Sequence, residues 1–344
     1  MFFLADELEA VRRFYAALPN APASPLVRLP GLAAELGLAD VLVKDESDRF
    51  GLPAFKIVGA RYAVGRLLDA GVTGDFACAT SGNHGRAVAR AARLAGWRAH
   101  VFVPRGTVPA RIAAIRSEGA DVVVTSADYD ETVRLMATAA RERGWTIVSD
   151  TGWDDYDQIP RWIMAGYTWM LEEAAMAWDA PPDLVVVQAG VGSLAGGVAG
   201  WLEAMFPAGG PKLVVVEPEG SACVAASLGA GRRIGLEACA PSAMAGLRCA
   251  EVSPIAWPVL RDRVNATVQI TDEDARAVSA RLASPTTGDP AIASGISGAA
   301  SLAGLVRLVR DPHLPDLRAA LGLSAATRAL VFNTEGPTDA PAVF

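Results

Sequence analysis

Short, nearly all-apolar runs alternate with longer helical patterns along this chain, and no other feature narrows its fold so far. "DFACAT" (75–80) leads into a helix from Asn83 to about Ala95, and "RAHVFVP" (98–104) leads into "VPARIAAIRSEG" (108–119). "DVVVTS" (121–126) leads into "DYDETVRLMATAARERG" (128–144), and "WTIVSD" closes the series at Asp150. Such runs suit parallel strands covered on both faces, and the helices close at or beside Gly, as helix C-termini often do. A second series follows "WDAPP" (178–182): "DLVVVQAGVGSLAGG" (183–197) enters a helix, "KLVVVEPEG" (212–220) follows, and "RALVFNTEG" (328–336) supplies a late strand. Two more helices are expected at "TDEDARAVSARLA" (271–283) and "SGAASLAGLVRLVRD" (297–311). A βαβ series makes a parallel, open sheet, and 344 residues exceed what one hydrophobic core usually holds. The expected architecture is therefore α/β: two open, mostly parallel-sheet lobes whose strand C-termini point into a cleft between them.

Composition removes several classes of function. A net charge of -7 argues against nucleic acid, which needs a basic surface. No run approaches the ~18 to 20 apolar residues of a membrane span. The start, "MFFLADELEAVRR", has acids at Asp6 and Glu7 inside its apolar stretch and no basic region before it, so it reads as coil or strand leading into a helix rather than a secretory signal. A cytoplasmic protein is expected. Cys78, Cys223, Cys239 and Cys249 form no CxxC pair, and His84, His100 and His313 lie far apart. No metal site is expected from ligands so dispersed, and free thiols are the expected state.

Three turns concentrate the residues that carry chemistry. In "DESDRFGLPAFKIVG" (45–59) one lysine, Lys56, stands among apolar residues ahead of a helix. Lysine is rarely buried without a partner. Burial lowers its pKa by disfavouring the charged form, which suits a nucleophile or a base. "QAGVGSLAGG" (188–197) follows a buried strand and opens a helix, so its glycines can bring backbone N–H groups close to an anion. No GK[ST] follows it, and its mid-chain place does not suit a dinucleotide. A single phosphate fits better, with close packing of an ordinary turn as the plain alternative. "ATSGNHGRAVA" (79–89) crowds hydroxyls, glycines, Asn83 and His84 at another strand–helix turn, where Ser81 or Asn83 could equally be a helix cap.

In this order the lysine, the SGNHG turn and the GVGSLAGG turn resemble the pyridoxal-phosphate enzymes of the tryptophan-synthase β-subunit fold, fold type II. The resemblance runs from "SPLVRLPGLAAELG" (24–37) to "VFNTEG" (331–336). Within that group, "VKDESDRFGLPAFK" (43–56), "DTGWDDYDQIPRWIMAGYTWMLEEA" (150–174) and "QAGVGSLAGG" are most similar to the diaminopropionate ammonia-lyases. The resemblance implies pyridoxal phosphate in the cleft between a large domain, 1–74 with 181–344, and a small domain, 75–180, in a homodimer. Lys56 would form the Schiff base with the cofactor aldehyde and later act as base at Cα. Gly190, Val191, Gly192, Ser193 and Leu194, with Gly196 and Gly197, would hold the phosphate. Asn83 would sit beside the ring hydroxyl, and Thr80, Ser81, Gly82 and His84 would receive the substrate carboxylate. Thr334 would face the pyridine nitrogen, where a neutral hydroxyl leaves that nitrogen largely unprotonated and favours expulsion of a β-substituent.

Two positions depart from the lyase pattern. Ser81 stands where those enzymes usually have aspartate, and Ile296 in "SGISGA" (294–299) replaces a glutamate, so two carboxylates expected near the cofactor are absent. The catalytic set implied is Lys56 with Asp150, His84 and Ser81, Asp150 being the remaining acid or base near Cα unless it merely caps the next turn. The reaction expected is α,β-elimination from 2,3-diaminopropionate or a related small β-substituted amino acid, giving a 2-oxo acid and ammonia. A serine or threonine dehydratase, or a β-replacement synthase of the same fold, is the alternative that Ser81 favours. A non-catalytic protein that binds the cofactor is the rival of another class.

Overall fold

The structure is a computed structural model that describes residues 1–337 apart from 20, 81, 154 and 287, with the backbone alone at 130. The strands are β1 (Leu26–Arg28), β2 (Asp40–Asp45), β3 (Phe76–Ala79), β4 (Ala99–Val103), β5 (Asp121–Val124), β6 (Thr146–Ile147), β7 (Leu184–Gln188), β8 (Lys212–Pro218), β9 (Ala266–Ile270) and β10 (Arg328–Asn333). The helices are α1 (Ala5–Ala16), α2 (Pro30–Leu36), α3 (Lys56–Asp69), α4 (Asn83–Leu94), α5 (Pro109–Arg116), α6 (Tyr129–Arg143), α7 (Gln158–Ala177), α8 (Ser193–Met205), α9 (Cys223–Ala230), α10 (Trp257–Arg263), α11 (Asp272–Ala283), α12 (Ala300–Arg310) and α13 (Pro315–Leu321).

A six-stranded sheet has the order β1-β2-β10-β7-β8-β9, and a four-stranded sheet the order β5-β4-β3-β6. Every pairing is parallel except β1 with β2. Strands β2, β10 and β7 sit in near-common register, with Val43 opposite Val331 and Val331 opposite Val186. Their C-terminal ends therefore leave the sheet together, and the ends of β3 and β6 do the same in the smaller sheet. In open α/β sheets this is where ligands bind.

The central strands are legible as apolar runs because they are covered on both sides. Val185 and Val187 of β7 face a core built with α3, α7 and α8, while Val186 faces a second core with α2, α11 and α12. Strand β5 departs from that expectation: Val123 and Val124 are exposed, because β5 is the edge of its sheet and pairs only with β4. Helix α7 shares the first core with α3 and α8, so that core runs continuously between the two sheets. Among the described residues no helix is long and apolar enough to cross a membrane.

Candidate active site

The loop that delivers Lys56 reverses tightly. Phe50 and Gly51 both adopt positive φ, 53° and 72°, and Arg49 and Leu52 exchange backbone hydrogen bonds of 2.7 and 3.0 Å. A bulky residue takes that conformation only where its surroundings enforce it. Here Arg49 supplies the anchor: its buried guanidinium donates twice to Glu173 of α7, at 2.7 and 2.8 Å. Lys44 Nζ donates to the same carboxylate and to the Ser24 carbonyl, each at 2.7 Å, and Ser24 Oγ donates to Glu46. Two basic and two acidic side chains leave water together, and burial pushes the Glu46 carboxyl up against the charges of Arg49 and Lys44. Beyond it, Ala54 bridges Glu335, the Phe55 amide donates to the Thr334 carbonyl at 3.1 Å, and the Gly336 amide to the Pro53 carbonyl at 3.0 Å. This pairing lays Lys56, the first residue of α3, beside the "NTEG" end of β10.

Lys56 Nζ lies 2.5 Å from Asp150 Oδ2 and donates to it. The two side chains are 22% and 17% exposed, so a ligand in the cleft can reach both. Burial acts to lower the Lys56 ammonium, but the charge of Asp150, with Tyr167 and the hydrogen bond to Asp150, overrides it and raises the group above its ordinary value. This corrects the expectation of a burial-lowered lysine: a carboxylate at hydrogen-bond distance outweighs desolvation. Burial likewise acts to raise Asp150, and the charges of His84 and Lys56 overcome it, holding the carboxyl well below the usual range. Asp150 points at the lysine, and among the described residues no amide of the following turn donates to its side chain.

His84 Nε2 lies 2.9 Å from the Val148 carbonyl, which can only accept, so this nitrogen carries a hydrogen. Its Nδ1 faces Asp150 Oδ2 at 3.8 Å and, among the described residues, has no hydrogen-bond partner. Asn83 and His84 open α4. The Asn83 side-chain amide donates to Glu335 Oε2 at 2.6 Å. The Gly82 amide donates to Thr80 Oγ1 at 3.2 Å, and a Cβ added at Gly82 would meet nothing within 4 Å, so open space lies before this turn. Ser81 lies outside the described residues.

The turn between β7 and α8 is fixed from behind. Gly192 is the N-cap at φ 87°, and α8 has no side-chain cap, which leaves its first amides for an anion. A Cβ at Gly192 would come within 2.9 Å of Leu260, and one at Gly190 within 3.0 Å of Cys249 Sγ and the Gly246 carbonyl. The Val191 carbonyl accepts from the Ser253 amide at 2.8 Å. Ser193 Oγ donates to the Asp150 carbonyl at 2.6 Å, which ties this turn to the Lys56 partner, and Leu194 is buried. Cys223 Sγ donates to the Gly190 carbonyl at 3.5 Å. Cys223 and Cys249 are free thiols, and burial pushes Cys249 up to about 12. Thr334 is buried at the end of β10, its Oγ1 accepting a 2.8 Å hydrogen bond from Gln188 Nε2.

Lys56, Asp150, His84, Asn83, Thr80, Gly82, the 190–194 turn and Thr334 thus converge where the strands of both sheets end. The sequence reading missed two residues there. Glu335 places a carboxylate beside Asn83, so the cleft is less depleted of acids than Ser81 and Ile296 imply; it stands inside the quoted "NTEG", and only the fold brings it to Asn83. Gln188 closes an apolar strand and looks like the start of the glycine turn, with nothing in its neighbours to announce Thr334. Ile296 packs against the second core.

A family model described as pyridoxal-phosphate dependent enzyme matches residues 18–324. The diaminopropionate ammonia-lyase of Escherichia coli (strain K12) is 36% identical over 358 residues, which cover 98% of this chain and 90% of that one. The crystal structure of the holo form of the Escherichia coli diaminopropionate ammonia-lyase superposes with a TM-score of 0.92 at 35% identity, covering 98% of this chain and 90% of the other. The same lyase in complex with an aminoacrylate-PLP azomethine reaction intermediate gives a TM-score of 0.90 at 36% identity with the same coverage.

Proposed function

The chain belongs to the family of pyridoxal-phosphate dependent enzymes, and from that membership we propose that it is an ammonia-lyase for 2,3-diaminopropionate or a similarly small amino acid with a cationic β-substituent. The products are a 2-oxo acid and ammonia. Pyridoxal phosphate is the cofactor, and the cleft fits it. The uncapped start of α8 offers amides to a phosphate, Lys56 offers an amine to an aldehyde, and Thr334 offers a hydroxyl to a ring nitrogen. When bound, the cofactor supplies the carbon to which an amino acid is joined and a conjugated ring that takes up the electron pair left at Cα.

The protein's part is to hold charges and move protons. Lys56 Nζ, once relieved of its proton, takes the proton from Cα. The observation that carries the choice of substrate is Asp150, held ionised within 2.5 Å of that amine. A carboxyl held in its ionised form has no proton to give a leaving group; it attracts a cation. A 3-ammonium group suits it on both counts. It is the opposite charge, and it departs as neutral ammonia with its own protons, the C–N bonding pair going to nitrogen. A hydroxyl would have to receive a proton as its C–O bond breaks. The charge of His84 favours the Asp150 anion, Glu335 adds a second carboxylate, and the Thr80–His84 turn, with Ser81 in it, takes the substrate carboxylate. A large domain (1–74 with 181–344), a small one (75–180), a homodimer and a cytoplasmic location complete the proposal. The two separate sheets support the division, with α7 spanning the join.

Oxo-acid release from D- and L-diaminopropionate, D- and L-serine and L-threonine tests the reading. One diaminopropionate isomer should exceed every hydroxyl substrate in kcat/KM by about tenfold or more, the worth of one general-acid or charge contact. A preference for serine or threonine would overturn the leaving-group argument.

A further inference from the structure

Among the described residues the Gln188 side chain makes its hydrogen bonds away from the Lys56–Asp150 pair, yet its geometry decides what the Thr334 hydroxyl can do. Gln188 is buried at the end of β7. Its Nε2 lies 3.0 Å from the Ser297 carbonyl, 3.2 Å from Gly298 and 3.3 Å from Phe332, besides 2.8 Å from Thr334 Oγ1. Three carbonyl oxygens around one amide atom identify that atom as nitrogen, since the flipped amide would set oxygen against oxygen. The price of this orientation is visible: Gln188 Oε1 is buried and, among the described residues, has no hydrogen-bond partner.

An amide nitrogen cannot accept, so Thr334 Oγ1 must accept from it through a lone pair. The hydroxyl hydrogen of Thr334 is then directed elsewhere, and among the described residues it has no second partner. We propose that Gln188 is a positioning residue that holds the Thr334 hydroxyl as a hydrogen-bond donor toward the cofactor's ring nitrogen. A donor there requires that nitrogen to keep its lone pair, unprotonated. Without Gln188 no donor fixes the direction of that hydroxyl, which is then free to present its own lone pair to the ring. The inference rests on the proposed function, because it needs the cofactor ring at Thr334.

A double-mutant cycle separates this role from a merely structural one. Wild type, Gln188→Leu, Thr334→Val and the double variant are each titrated with pyridoxal phosphate for Kd. Each is also loaded with the ring-15N-labelled cofactor for the nitrogen chemical shift. Gln188→Leu alone should weaken cofactor binding about tenfold and move the 15N resonance. In the Thr334→Val background the same change should alter Kd by less than about twofold, the range expected of uncoupled sites, and leave the resonance in place. Equal losses in both backgrounds, or no loss in either, overturn the proposal. Gln188→Met replaces the leucine variant if that one fails to fold. Wild-type uptake of the cofactor is the control: its failure would count against the proposed function, whereas uptake with an additive cycle counts against Gln188 alone.

Discussion

Asp150 and Lys56 set each other's charge, and separating them is the most direct way to read what each does. In Asp150→Asn the anion is gone and burial acts on Lys56 with little opposition, so the amine should fall from its raised value. Uptake of the cofactor needs the neutral amine. Its midpoint should therefore move to lower pH in the variant than in the wild type, which the pH dependence of the cofactor's absorbance would show. Elimination should respond in the opposite direction. With the negative partner of a 3-ammonium group removed, kcat/KM for diaminopropionate should drop by about 100-fold or more, within the range of a positioned acid–base group. A variant that retains wild-type turnover would remove Asp150 from the reaction. The sequence alone marked both residues but not their pairing. Ninety-four positions separate them in the chain, and nothing local to either says that β6 ends opposite the head of α3.

At the scale of the elements, the carboxylate that starts α9 carries a pH dependence of its own. Glu217, fully buried at the end of β8, accepts from the Val224 and Ala225 amides at 2.7 and 2.9 Å. Burial pushes it up to about 7, against two donors that favour the anion. A carboxyl raised on folding binds its proton more tightly in the native state. Its contribution is present below about pH 4.5 and is lost as pH rises to about 7, costing up to roughly 3 kcal/mol above that. Urea denaturation at pH 5 and pH 8 should show this loss in the wild type and a smaller one in Glu217→Gln; equal losses would mean Glu217 is already ionised at pH 5. The elements themselves were unevenly legible. The strands at 184–188, 212–218 and 328–333 announce themselves because both faces are buried and nearly every position is apolar. Strand β9, "ATVQI", is only partly covered and alternates instead, so no run marked it. β5 was read correctly as a strand and wrongly as a covered one, because position in a sheet is a tertiary fact.

For the molecule as a whole, the buried cluster of Lys44, Glu46, Arg49 and Glu173 is the junction that holds the lysine loop to α7 and so to the shared core. Its stability depends on every member being present. Arg49→Met would leave Lys44 as the one cation between two buried carboxyls, those of Glu173 and Glu46. Breaking such a set by removing one partner costs about 3–5 kcal/mol, a large share of the roughly 5–15 kcal/mol that holds a domain folded. The midpoint of urea unfolding should fall accordingly. The same substitution touches none of the groups assigned to phosphate, ring or substrate, so it should act on the loop's order rather than on chemistry. Cofactor at about a hundred times its Kd adds about 2.7 kcal/mol to any fold that binds it. It should therefore restore much of what Arg49→Met loses, provided the Phe50–Gly51 reversal can still form when Lys56 is held from the cleft side. A variant that unfolds as readily with saturating cofactor as without it would show that the cluster is required for the cleft to exist. Rescue would show that the cluster and the cofactor stabilise one and the same closed loop.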